Sequence, residues 1–119
     1  MSIRQRVYGA LFRSALLAKY PIRPDQPDPA DKAPFVIYSQ VYARPANVLS
    51  GAPTLTHYLY QIDCYSSDPD EVDNMAAEAA KVLCQDAQPG NGMLLTESRS
   101  GFDQAAKLYR VIQSFSVWC

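Results

Sequence analysis

The chain has 119 residues, 48% of them hydrophobic, only 19% charged, and a formal charge of −1 at pH 7. That length supports a single domain over residues 1–119 with one modest core, and the near-neutral balance excludes the basic footprint of a nucleic-acid binder. Charge falls short of the roughly 25% usual for soluble domains, so a small domain with much surface leaves apolar and tyrosine surface for something else to cover.

A first helix is expected over residues 2–19. Ile3, Val7, Ala10, Leu11, Ser14, Leu17 and Ala18 share one face at helical spacing, and Pro21 forces the preceding residue out of the helical region. Tyr8, Phe12 and Leu16 form a second stripe at i, i+4 and i+8, almost opposite the first. A single core cannot cover both stripes: either the segment at 21–34 folds over the second, or, as the shortage of charge favours, Tyr8, Phe12 and Leu16 contact another subunit. Residues 21–34 (PIRPDQPDPADKAP) hold five of the nine prolines and read as an extended surface linker.

Residues 35–42 (FVIYSQVY) are β-branched and aromatic and predict a strand. Residues 43–53 (ARPANVLSGAP) read as a loop longer than a tight hairpin turn. Arg44 is its polar candidate anchor, Val48 and Leu49 its apolar ones. A second strand follows over about residues 54–66, long enough for the hairpin end to project from a small sheet.

The second helix has the clearest start. Asp68 is placed to cap it, Pro69 suits the first helical position, and Glu71 stands where a capping box is completed. Its core stripe is Val72, Met75, Ala76, Ala79 and Leu83, and Gln88-Pro-Gly-Asn-Gly closes it. Residues 93–100 and 107–118 supply two more strands. In the last, Tyr109, Val111, Gln113, Phe115 and Val117 alternate with Arg110, Ser114 and Ser116. The order α-β-β-α-β-β implies an α+β domain, a four-stranded antiparallel sheet with helices packed on one face.

Residues suited to catalysis are not brought together by any spacing. His57 is the sole histidine, inside an alternating strand between Thr56 and Tyr58, and reads as a surface or interface residue. Asp63 has no second carboxylate near it by local spacing, and the acids of the second helix serve capping and solvation. Ser50 lies in a loop rather than on a strand-to-helix turn. Gly90-Asn-Gly92 has no strand–loop–helix context for phosphate. Cys64, Cys84 and Cys119 have neither CxxC nor Cys/His spacing, so they read as small buried or partly buried thiols in a reducing compartment. Neither a secretory signal nor a membrane span is expected, and no cofactor or metal is implied.

Tyr38-Ser-Gln40, Arg44-Pro, Leu49-Ser-Gly51, Tyr60-Gln-Ile-Asp-Cys-Tyr65 and Asp68-Pro-Asp-Glu-Val-Asp73, closing with Lys107-Leu-Tyr-Arg110 and Ser114-Phe-Ser-Val-Trp118, occur in an order that resembles the tail-completion family of long-tailed phages and prophages. The resemblance runs from Ile3 to Trp118, with the proline-rich segment at 21–34 departing from the family's wording. It implies a non-enzymatic virion protein, assembled in the host cytoplasm, that forms a ring, usually six-fold. That ring caps the head-proximal end of the tail tube, stops its growth and offers a surface for head joining. The implied partners are further copies of the chain, the tail tube protein and the head–tail connector proteins. Residues 1–60 carry seven Lys/Arg against three acids and residues 61–119 four against nine, a split that suits a ring in which one patch meets a different patch on the neighbour. Two other classes stay open: a stopper or adaptor at the same junction, and a small enzyme or ligand-binding domain around His57, Asp63 or Arg110.

Overall fold

In the computed structural model, residues 3–26, 32–47, 53–84 and 93–118 are described. The first helix, α1, is Ile3–Arg13, and it buries Val7, Ala10 and Leu11 as its period predicts. It stops six residues short of the expected end. Ser14 is responsible: its N–H bonds Leu11 O at 3.2 Å, a tightened last turn. Its Oγ accepts from Leu17 N–H at 3.3 Å and donates to Glu78 Oε1 at 2.9 Å. A serine whose side chain serves the backbone in this way competes with helix continuation. A single 3₁₀ turn, Leu17–Lys19, follows and returns Leu17 to the core.

The proline-rich segment is not merely a linker. Ile22–Pro24 forms a strand, β1, parallel to β2, Phe35–Asn47, with Ile22 opposite Val36 and Pro24 opposite Tyr38. Val36 N–H donates to Pro21 O at 2.8 Å and Asp25 N–H to Tyr38 O at 2.9 Å. Pro21 is therefore used as an acceptor, and Pro24 sits on an edge strand, where a missing N–H is tolerated. Three further strands, β3 (Pro53–Ser66), β4 (Leu94–Asp103) and β5 (Leu108–Trp118), complete one sheet in the order β1-β2-β3-β5-β4. The sheet is thus five-stranded and mixed, not four-stranded and antiparallel. The α+β class holds, and the other three pairings are antiparallel.

The loop expected at 43–53 is also mostly strand. β2 runs on to Asn47 and β3 starts at Pro53. Val41 is an extra residue between the pairs Gln40–Tyr60 and Tyr42–Leu59, a bulge that turns the following side chains to the other face. The last pair between β3 and β5 is His57–Trp118, whereas β2 and β3 stay paired out to Asn47–Pro53. The hairpin therefore extends beyond the sheet.

Helix α2, Pro69–Cys84, starts as the sequence indicates. Asp68 Oδ1 accepts from Asp70 N–H at 3.0 Å. The capping box is relayed, however: Glu71 Oε1 accepts from the Ser66 hydroxyl at 2.5 Å, and Ser66 Oγ accepts from Asp68 N–H at 3.1 Å. Ser66 thereby ties the end of β3 to the first turn of α2.

Both helices lie on one face of the sheet, α1 over β1 and β2, α2 over β3, β5 and β4. Between helices and sheet sits a core of Val7, Leu11, Leu17, Val36, Tyr38, Tyr60, Ile62, Cys64, Phe115, Val117 and the whole predicted stripe of α2. Alternation places Phe35, Ile37 and Ile112 on the opposite face, where they are nevertheless buried. Phe35 stacks there on Tyr65, with ring centroids 4.9 Å apart. In the core face of β5, Gln113 is buried and its Oε1 has no hydrogen-bond partner among the described residues.

Candidate assembly surfaces

The outer side of α1 carries the second stripe. Tyr8 and Phe12 are 39% and 55% exposed, and their rings stack with centroids 5.8 Å apart. Tyr38 of β2 joins them, its ring 6.0 Å from that of Tyr8. Beneath, Arg4 bonds the Tyr60 hydroxyl, and that hydroxyl donates to Gln40 Oε1 at 2.9 Å. Burial raises the phenol pKa of both Tyr38 and Tyr60, so both hydroxyls stay protonated. Leu16, beyond the end of α1, is half-buried and turns away from the rings to line a cleft.

That cleft, about 290 Å³, opens between the 3₁₀ turn and the first turns of α2. Leu16, Tyr20 and Met75 form apolar walls, and Asp68, Asp70 and Glu71 are acids on its lining. Burial, then Glu71, holds the Tyr20 phenol pKa above its ordinary value. By sequence alone, these acids read only as helix-start residues. Their meeting with Leu16 and Tyr20 depends on the chain reversal at Ser14, which no local spacing signals.

At the projecting hairpin Arg44 lies over the Tyr42 ring, 4.2 Å from its centroid. This is cation–π geometry on a strand rather than in a loop. Tyr42 meets His57 edge to face with centroids 5.4 Å apart, its hydroxyl 3.4 Å from Nδ1. His57 Nε2 is hydrogen-bonded to Ser116 Oγ. Val48 and Leu49 lie outside the described residues. The structure therefore separates the candidate residues: Tyr8 and Phe12 form one patch, Arg44 belongs to another, and Leu16 sits between α1 and α2.

A further apolar group went unread in the sequence. Phe102 and Tyr109 pack edge to face with centroids 4.9 Å apart and remain exposed at the turn end of β4 and β5. β4 continues three residues past the predicted Ser100; with the strand ended early, the pairing of Phe102 with Tyr109 is invisible. Leu94, at the start of the same edge strand, is 67% exposed.

The groups with chemical potential are quiet. Cys64 is fully buried, and desolvation, then the Asp63 charge, pushes its thiol up to about 12, far from a reactive thiolate. Cys84 is exposed, contrary to the expectation of buried or partly buried thiols; Cys119 lies outside the described residues. Asp63 accepts from Gln61 Nε2 at 3.0 and 3.3 Å, and burial outweighs that bond and nearby Arg110 to raise its carboxyl pKa. Among the described residues, no three His, Cys, Asp or Glu side chains gather as a metal site, and no helix is long and apolar enough to cross a membrane.

Among curated protein sequences none matches this chain. Of the solved structures, one described as "Virion of native gene transfer agent (GTA) particle" contains a chain similar in fold. The TM-score is 0.72 at 16% identity, covering 98% of this chain and 93% of that one. Residues 5–119 match the family described as tail completion protein gp17. The chain accordingly belongs to the tail completion protein gp17 family, a family of structural phage-tail proteins.

Proposed function

We propose that the protein forms a six-membered ring on the head-proximal end of the tail tube, ends tube growth there and presents the surface on which the head connector docks. The observation that carries this reading is the Tyr8–Phe12 stack, solvent-exposed on the outer side of α1. Aromatic side chains of this size contribute strongly when buried between proteins. In this reading Tyr8, Phe12 and Leu16 lie in or beside the contact between copies. The projecting β2–β3 hairpin, with Arg44 and the apolar pair Val48 and Leu49 at its end, reaches the tube or a neighbour. The protein's role is binding alone, with neither catalysis nor a cofactor. Mixing the purified protein with headless tail tubes and imaging them tests this: six-fold caps are expected at one end only. Binding only to connector-bearing heads would instead favour a stopper or adaptor.

A further inference from the structure

Cover on the helix side of the sheet runs out at β4. Ser98, Ser100 and Phe102 of β4 pair with Gln113, Val111 and Tyr109 of β5, and cross-strand partners share a face. Gln113 and Val111 are buried on that face, whereas Ser98, Ser100, Phe102 and Tyr109 are exposed. The last strand of the sheet thus lacks the helix cover that the layer architecture supplies to its neighbours. It is also the more open of the two edges. β1, at the other end, is three residues long and carries Pro24, while β4 runs for ten residues without proline or lysine. Shortness, proline and lysine are among the features that keep an edge strand from recruiting a partner.

Among the described side chains, the exposed aromatic ones fall into two pairs. Tyr8 and Phe12 stack on α1 with centroids 5.8 Å apart, and Phe102 and Tyr109 pack edge to face at 4.9 Å. One pair is a helix face without a sheet; the other belongs to a sheet margin without a helix. α1 overlies β1 and β2, at the opposite end of the strand order from β4, so a copy cannot bring its own two pairs together. Two copies in series can, and each then keeps one patch for the next copy. That is the head-to-tail arrangement that closes into rings. Beside Phe102 the small side chains of Ser98 and Ser100 leave a shallow floor on which a helix carrying two rings one turn apart can lie. Four rings can then gather at the centroid spacings of about 4.5–7 Å that aromatic pairs favour.

Resting on the ring reading above, we propose that the Tyr8–Phe12 face of α1 docks on the helix side of β4 in the next copy, against Phe102 and Tyr109, and completes that copy's helix layer. Cross-linking on headless tail tubes tests the contact, with serine at Cys84 and Cys119. Gln5 shares the face of Tyr8 and Phe12 by helical spacing, and Ser100 stands beside Phe102 on β4. A chain carrying both Gln5→Cys and Ser100→Cys should be joined by a short bismaleimide into a ladder of covalent oligomers, and either change alone should give monomer. Phe102→Asp should stay folded by circular dichroism and lose association at least tenfold. Mixed with Phe12→Asp, both chains carrying the two cysteines, it should give cross-linked dimers and nothing longer, because only one intact α1 face can then meet one intact β4. Pairs cross-linked through Gln5→Cys alone would overturn this contact and leave the ring reading intact. So would association without a ladder, parent-level association of Phe102→Asp, or a mixture giving no dimer or longer chains. A parent protein that associates neither in solution nor on tube ends would overturn both.

Discussion

Tyr8 and Phe12 stack one turn apart on the solvent side of α1, ring centroids 5.8 Å apart, while the other side of the same helix is sealed into the core by Val7 and Leu11. One helix thus serves the fold with one face and keeps an apolar face unspent. Covering a large apolar side chain contributes about 1.5–3 kcal/mol. Phe12→Asp should accordingly leave a folded monomer with an unchanged melting temperature and abolish association, read by light scattering after size exclusion. Retained association would remove this face from the contact.

The projecting hairpin is expected to act outside the fold. Among the described residues, the core residues of β2 and β3 reach to Tyr38 and Tyr60, with Tyr58 packed against them. Removing residues 45–56 and joining Arg44 to His57 through Asn-Gly, a turn suited to a two-residue hairpin, should therefore preserve folding. Capping of tubes should be lost. If the shortened protein still capped them, the hairpin would be a passive connection.

Asp63 links stability to pH. Its folded pKa is raised above the ordinary 3.8, burial being the main cause. The folded state therefore binds the proton more readily than the unfolded state, and this group's contribution falls as pH rises through the window between the two values. Above that window the charged carboxylate is a standing penalty. Asp63→Asn should raise stability at pH 7 and flatten the acidic part of the stability profile, measured by urea denaturation across pH. A variant less stable at neutral pH would show that the carboxylate is favourable where it stands.

Gln113 is a polar residue on the core face of β5 whose buried Oε1 goes unbonded among the described residues. An unsatisfied buried acceptor costs about 1–3 kcal/mol. Gln113→Met, close in shape and without polar atoms to satisfy, should stabilise the protein by about 1 kcal/mol in a denaturant titration. Destabilisation would mean that the amide is paired in solution.

The thiols should separate by exposure. Cys84 is exposed and Cys64 fully buried with its thiol pushed up to about 12. A maleimide should modify Cys84 in the native protein and reach Cys64 only on unfolding. Capping should survive serine at all three cysteines together with His57→Gln, apart from a modest loss of stability. Loss of capping by that folded variant would expose a chemical role for one of these groups.

What could be read from the sequence followed from local physics. The start of α2 was legible because Asp68 and Pro69 act within one turn, and its buried stripe because five apolar residues repeat at helical spacing. β1 was not, because three residues flanked by prolines look like a linker until β2 supplies the partner for Pro21 O and Asp25 N–H. The early end of α1 was hidden for the same reason: the Ser14 hydroxyl that ends it is held by Glu78, 64 residues away. Alternation in β2 misleads past Val41, since the bulge puts Tyr42 beside His57. Of the candidate surfaces, the α1 stripe was visible as a period that one core cannot absorb. The acidic cleft was not, because two segments remote in sequence build it.

The most direct measurement is the length distribution of tails from particles made without this protein, read by electron microscopy. A protein that ends tube growth predicts tails of irregular and excess length, returned to uniform length by the parent protein and not by Phe12→Asp. Tails of normal, uniform length in its absence would contradict the account, leaving the protein a role at the junction after growth has ended.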